Sequence, residues 1–446
     1  MASIKGPTGL RGFTVIWAGQ IVSQLGSAMT WFAFSIWAWK ITGQATTLAL
    51  VLFFSYIPTL LFGPIAGALV DRWNKKLVLA FSDLGTALAT LAVLLLYLAN
   101  LLQVWHLYVA VVFAGVFLAF QFPAYSAATT LMVPKEQYAR AEGMLGLTQA
   151  IPSILAPVAA AALLGKIGFG GVMTINLLTY FAAFGTLLWV SIAQPARTQL
   201  AQPGNLWKES LFGFRYIFER PGLRALVFLF LGGNLFEGLC TTLIAPMVLA
   251  RSGNNAIVLG SVESIGAVGG IIGGVLISLW GGPKRRIVGI VIGWTCAFGL
   301  GLMLMGAGGV WIIWAIAYSL FAFFAVFVNS SEQALWQTKV APGVLGRVSA
   351  TRLLLIQAPY LVAMPLAGWL ADNVLGPAMM PNGTLSGLKW LVGVGPGAGM
   401  ALIFVLAGLG GMLVVLGSYA FRSVRHVEDL LPDYDGQPPA KVEASV

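Results

Sequence analysis

The sequence predicts an all-α membrane protein: twelve transmembrane helices arranged as two pseudo-symmetric six-helix bundles. Three observations predict it. Of 446 residues, 59% are hydrophobic and 9% charged, where a soluble domain carries roughly 25% charged residues. The apolar residues gather into twelve runs, each long enough for the ~20 residues that a bilayer-spanning helix needs. A short basic turn between two such runs occurs twice, about 207 positions apart, so the chain reads as two related halves.

The first copy of the turn is Gly67-Ala68-Leu69-Val70-Asp71-Arg72-Trp73-Asn74-Lys75-Lys76. The second is Gly274-Val275-Leu276-Ile277-Ser278, followed by Leu279-Trp280-Gly281-Gly282-Pro283-Lys284-Arg285-Arg286. Val133-Pro134 ahead of Arg140 is echoed by Val340-Ala341-Pro342 ahead of Arg347, and Gln149-Ala150 with Pro157 by Gln357-Ala358 with Pro365.

The runs cover 13–41, 48–70, 77–98, 107–132, 138–164 and 171–192, then 223–250, 257–280, 287–307, 311–337, 348–372 and 399–421. They divide the chain into a bundle at 1–193, a linker at 194–222, a second bundle at 223–422 and a polar, disordered tail at 423–446. In the linker, Trp207, Leu211, Phe214 and Phe218 share one face at helical spacing, which predicts a short amphipathic helix over 206–218 strapping the halves at the membrane surface. Residues 373–397, rich in Gly and Pro, read as a loop on the opposite side.

Placing both termini on one side puts 21 of the 25 Lys and Arg there; Lys40, Lys166, Arg251 and Lys389 are the exceptions. That asymmetry marks the terminal side as cytoplasmic. It also explains the net charge of +10 as topology and attraction to anionic lipid heads, and argues against nucleic acid as a partner. Cys240 and Cys296 lie inside apolar runs, with neither metal nor disulfide spacing. His106 and His426 are far apart, and no phosphate-cradling loop occurs, so neither a metal, a cofactor nor ATP is expected. No catalytic constellation appears, which argues against an enzyme.

Two six-helix halves, a basic linker and the G-x-L-x-D-R turn after the second run resemble the major facilitator superfamily over residues 10–422. Local phrases sharpen the likeness: 63–73, Gln121-Phe122-Pro123-Ala124, Leu131-Met132-Val133-Pro134, Ser261-Val262-Glu263-Ser264 and the 280–288 turn are similar to the macrolide-efflux and enterobactin-exporter type of drug:proton antiporter. The family's helix-5 pattern carries glycines after a Gly-Pro; this chain has Ala156-Pro157-Val158-Ala159-Ala160 instead. The resemblance implies a monomeric exporter of the bacterial inner membrane that moves hydrophobic or amphiphilic small molecules by alternating access, driven by protons. Alternatives are a siderophore or metabolite exporter, a lysolipid translocase, and a sensor or scaffold without transport.

The resemblance also implies a latch. Asp71 would meet the positive N-terminal end of helix 11, with Arg72, Arg347 and Arg352 nearby, while Gly67 lets helix 2 approach its neighbour closely. Helices 1, 4, 7 and 10 would line the substrate cavity, which brings in Gln20, Ser23, Gln24, Trp31, Phe120, Gln121, Asn234, Phe236, Trp314, Tyr318 and Asn329. A few polar groups among aromatics suit a bulky amphiphile.

Acids inside spans are costly and point to function. Glu237 falls roughly 20 Å from the inner face and Glu263 roughly 12 Å from the outer one, so both lie at similar depth. Away from water a carboxylate favours its neutral form, which lets it take up a proton. Glu237 and Glu263 are therefore the expected proton-coupling residues. Asp83, about 10 Å into its span, is a further candidate, or a structural partner of Arg72 or Arg140. Glu332 and Glu142, close to the inner surface, are expected to pair with local arginines.

Overall fold

The structure, a computed structural model, describes residues 9–190 and 206–430; the side chains of Pro64, Ala68, Asp71 and residues 206–211 lie outside the described part. The first half holds α1 (Gly9–Thr42), α2 (Ala45–Arg72), α3 (Lys75–Leu98), α4 (Val104–Met132) and α5 (Tyr138–Trp189). The linker helix α6 (Leu206–Phe218) follows. The second half holds α7 (Pro221–Thr242), α8 (Ile244–Arg251), α9 (Ala256–Trp280), α10 (Arg286–Cys296), α11 (Leu304–Ala307), α12 (Trp311–Lys339) and α13 (Leu345–Trp369), then two single turns, α14 (Gly376–Ala378) and α15 (Lys389–Val392), and α16 (Ala398–Ala420). Wider π-helical turns extend α10 over Ala297–Met303 and α13 over Leu370–Leu375.

Ten helices among the described residues are long and apolar enough to cross a bilayer. α5 supplies an extra crossing. Its break is Gly168, whose φ of 68° suits a residue without a Cβ. Trp17 in α1 donates to the Met144 carbonyl (2.6 Å), and Gly19, within a turn of Trp17, packs against Thr186. Met144 and Thr186 lie on opposite arms of α5 yet meet α1 at one level, so α5 doubles back at Gly168. α1 is more polar, through Gln20, Ser23, Gln24, Ser27 and Thr30, but its 34 residues span about 50 Å. It makes the twelfth crossing.

In the first half α1 packs along both arms of α5, and α4 packs on α2 and α3. In the second, α7 packs on α13 and α16, and α12 on α9 and α10. The halves meet through two helix pairs, α2 with α13 and α5 with α9. These contacts concentrate at the end away from the termini. There the Asp372 carboxylate accepts from the backbone N–H of Ala45 (Oδ1, 3.0 Å) and of Thr46 (Oδ2, 2.7 Å). The N-cap residue of α2, Gln44, gives no side-chain cap, so Asp372 caps α2 from the other half. Gly368 lies so close to α2 that a Cβ would stand 2.6 Å from Thr46 Cα. Trp39 Nε1 donates to Asn254 Oδ1 (2.6 Å), and Ser264 Oγ to the Ile154 carbonyl (2.6 Å).

Toward the terminal end the pairs part. Gly63 and Gly67 on α2, Gly143 and Gly146 on α5, and Gly274 on α9 have nothing within 4 Å of the place a Cβ would take. The close approach expected of helix 2 at Gly67 is therefore absent here, because the halves diverge before reaching it. The space between them is a wedge, narrow at the α1–α2 turn and open at the terminal end.

The linker helix packs on the start of α13: Gly213 lies against Thr351 and the Arg347 carbonyl, and the Arg347 guanidinium stands over the Phe212 ring (4.9 Å to the centroid). The expected disorder from 423 onward does not hold at its start. Residues 422–430 form two short turns, α17 (Arg422–Arg425) and α18 (Val427–Leu430). They are held because Glu428 Oε1 accepts from Ile287 N–H (2.8 Å) at the start of α10 and Lys339 Nζ donates to the Glu428 carbonyl. The rest of the tail and the linker at 191–205 lie outside the described residues.

Candidate transport cavity

Two cavities open into the wedge. The first, about 560 Å³, is lined by α7, α12 and α13 with Tyr56 of α2 and Trp294 of α10. Its wall is polar: Asn234, Glu237, Asn329, Glu332, Gln333, Arg352 and Gln357 face it. The Tyr360 hydroxyl faces the Glu237 carboxylate, and the Tyr56 hydroxyl bonds Gln357 across the two halves. At the cavity wall Arg352 Nε stands 3.2 Å from Glu332 Oε1, Nη2 donates to Gln333 Oε1 (2.9 Å), and both charges are buried. The second cavity, about 640 Å³, lies between the halves. Trp31, Phe32, Ser55, Pro157, Glu263 and Tyr318 are among its lining.

Glu237 and Glu263 are each half-buried, and each opens to its cavity rather than to the outer surface of the bundle. Neither has a cationic partner among the described residues. Both sit on helices that reach the wedge through small residues. Gly260 and Ser264 flank Glu263 on the α9 face against α5, and Gly238 follows Glu237 on the α7 face against Tyr360 and Ala363.

Asp83 is differently placed. It is 1% exposed inside the first bundle. Gln20 Nε2 donates to its Oδ2 (2.9 Å) and Gln121 Nε2 to its Oδ1 (2.8 Å), while Gln24 Nε2 donates to Gln121 Oε1 (3.3 Å). The arginine pairing considered for Asp83 is thus replaced by two amides, which satisfy the carboxylate without a second buried charge.

The expected cavity residues divide accordingly. Asn234 and Asn329 line the first cavity, Trp31 and Tyr318 the second. Gln20 and Gln121 are committed to Asp83, and Ser23 is buried beside them on α1. Gln24 lines a small cavity of about 160 Å³ inside the first bundle, where Ser27, Thr86, Asn176 and Tyr180 stand among apolar side chains. Phe120 stacks on Trp73 at the bundle's flank, Phe236 packs on Gly410 of α16, and Trp314 is buried, with Nε1 donating to the Gly308 carbonyl (2.7 Å). These helices carry one face to the cavity and another to the core, and sequence spacing alone does not say which.

Of the expected latch, the Asp71 side chain lies outside the described residues. Arg352 is held by Glu332 and Arg347 by Phe212. Glu142 is exposed. Tyr56, Tyr360, Gln357 and Asp372 were not foreseen. Asp372 closes the eleventh run at the place where an acid next to the second helix start is a capping signal, readable only with the neighbour known. Among the described residues no group of three or more His, Cys, Asp or Glu side chains could hold a metal.

Residues 16–358 match the Major Facilitator Superfamily. The chain belongs to this superfamily. Within it, macrolide efflux protein A of Streptococcus pyogenes is 28% identical over 370 residues, which cover 81% of this chain and 90% of that protein. Macrolide efflux protein A of Enterococcus faecalis is 29% identical over 314 residues (69% and 95%), and the enterobactin exporter EntS of Shigella flexneri is 22% identical over 316 residues (71% and 70%). Among solved superfamily folds, a bacterial homologue of the human lysosomal transporter Spinster superposes with a TM-score of 0.67 at 14% identity, covering 96% of this chain and 99% of the other. The nucleoside transporter NupG gives 0.67 at 12% identity (92% and 100%). The protein is thus a multi-pass membrane transporter of a bacterial family.

Proposed function

We propose that the protein is a proton-coupled exporter of hydrophobic or amphiphilic small molecules, with its terminal end in the cytoplasm of a bacterial cell. The observation that carries this reading is the pair Glu237 and Glu263: two membrane-embedded carboxylates that open to the wedge and lack a cationic partner among the described residues. A carboxylate so placed exchanges a proton with whichever side the wedge faces. The second cavity supplies aromatic walls through Trp31, Phe32 and Tyr318, and the first sets amides and charges beside Tyr56, Phe230 and Tyr360, a combined lining that suits an amphiphile.

The cycle follows from alternating access. With the wedge open at the terminal end, substrate enters from the cytoplasm or inner leaflet and meets Trp31, Tyr318 and the acids. Closure there and parting of the Asp372 end exposes the same groups to the outside, where substrate leaves and protons bind. Return carries the protons inward. Arg352 with Glu332 gives the first cavity a fixed ion pair, so that Glu237 is the group left to change charge.

Purified protein in vesicles with an imposed pH gradient tests the reading, with a fluorescent cationic dye and a macrolide as substrates. Gradient-driven efflux is expected for the wild type and its loss for Glu237→Gln, while gradient-free dye exchange persists in the variant. Glu263→Gln is expected to lower efflux and shift its pH profile. Efflux that survives both substitutions with an unchanged pH profile would remove the proposed coupling.

A further inference from the structure

A third large cavity, about 580 Å³, lies apart from the wedge, on the flank of the first bundle. α2 and α3 are joined by the turn at Trp73 and Asn74 but scarcely touch along their lengths, and α4 floors the gap between them. The walls are Leu77, Val78 and Phe81 of α3 with Val116, Phe117 and Phe120 of α4. Phe117 reaches the floor by lying on Gly85, where a Cβ would collide with its ring. The groove opens sideways: Phe81 is 60% exposed and Leu77 53%. At its upper edge Trp73 stacks on Phe120, and Arg72 stands exposed with no partner among the described residues. The neighbouring Lys76 ammonium is already used, donating to the carbonyls of Leu188 (3.1 Å) and Val190 (2.8 Å).

We infer that this groove is a binding site for one anionic phospholipid of the leaflet next to the basic turns, with an acyl chain along Phe81, Val116 and Phe117 and the phosphate on Arg72. The chemistry selects this occupant. The described walls are almost entirely apolar, and the one charged side chain that the described residues bring to the mouth is a cation with a fork of donors suited to phosphate. The wedge, whose unpaired groups are carboxylates, offers the opposite sign. A transported amphiphile that suits Glu237 does not suit Arg72. The site therefore holds a resident lipid, seated where the α2–α3 turn meets the bilayer.

Native mass spectrometry of the delipidated full-length protein, titrated with phosphatidylglycerol and with phosphatidylcholine, tests this. One tight phosphatidylglycerol is expected, weakened about fivefold in Arg72→Gln, and displaced altogether in Val116→Trp, which fills the floor. A diazirine on the acyl chain is expected to label residues 77–82 and 113–120. Equal binding by Arg72→Gln, or labelling elsewhere, overturns the inference. Displacement of the probe by a macrolide would make the groove a drug-entry site, and its protection in a dimeric species would make it a subunit interface; either result overturns the lipid assignment. Glu237→Gln is expected to bind phosphatidylglycerol like the wild type, so loss of proton coupling and loss of the lipid site are read separately.

Discussion

The two ends of one helix pair, α2 with α13, behave in opposite ways. At the end away from the termini they are stitched: Asp372 caps the first turn of α2 through two backbone N–H groups, and Gly368 brings the helices nearly into backbone contact. At the terminal end the same helices have parted, and Gly63 and Gly67 face open space. Asp372 reaches the start of α2 from the partner half. The difference teaches what holds the closed end among the described residues: close backbone packing at Gly368 and a carboxylate against the positive end of a helix. The latter is worth up to ~2 kcal/mol in a partly buried setting, enough to bias a two-state equilibrium without locking it.

Three substitutions break or sharpen that contrast. The largest effect is expected from Gly368→Leu. A side chain there collides with the α2 backbone, and overpacking costs ~1–3 kcal/mol, so the stitched end should open. Spin labels at Ile41→Cys and Ile257→Cys, both exposed near that end, should move apart, and gradient-driven efflux should fall to near background. Asp372→Asn comes next. It keeps the shape but removes the charge from the α2 cap, at about 1–2 kcal/mol, and should give a mixture of short and long distances for the same label pair. An unchanged distance distribution would mean that packing at Gly368 alone holds this end. The smallest effect is expected from Gly67→Ala. Nothing stands in the way of a methyl group in the open wedge, and alanine favours the helix by ~1 kcal/mol, so thermal stability should hold or rise slightly. Turnover should fall, because the methyl group obstructs closure at the terminal end; labels at Leu147→Cys and Leu279→Cys would then stay apart when substrate is added.

The spans are legible in the sequence because a bilayer imposes a length, and the duplicated turn made the two halves legible as well. Lipid cannot satisfy backbone groups, so each crossing must be a helix, and the runs 77–98 and 311–337 find their counterparts in α3 and α12 within a few residues. The linker helix over 206–218 was readable from its aromatic face. Rotation was not. Gln20 and Gln121 resemble cavity residues because polar groups in spans usually face water, yet they turn to Asp83. Resolving that requires the angle of three helices about their axes, and hydrophobicity around α1 and α4 is too even to supply it. Asp372 and Ala45 are 327 positions apart, and a cap supplied from so far leaves no local pattern. Glu237 and Glu263 were readable for the opposite reason: an acid deep in an apolar run is conspicuous wherever the helix points.

The short turns after α16 carry a practical lesson. Glu428 completes the start of α10, and Lys339 grips its carbonyl, so the polypeptide just past the last crossing is woven into the second bundle. Truncating at Phe421, or grafting a fluorescent reporter there, would strip that helix of its cap; a fusion placed beyond Leu430 would leave it in place.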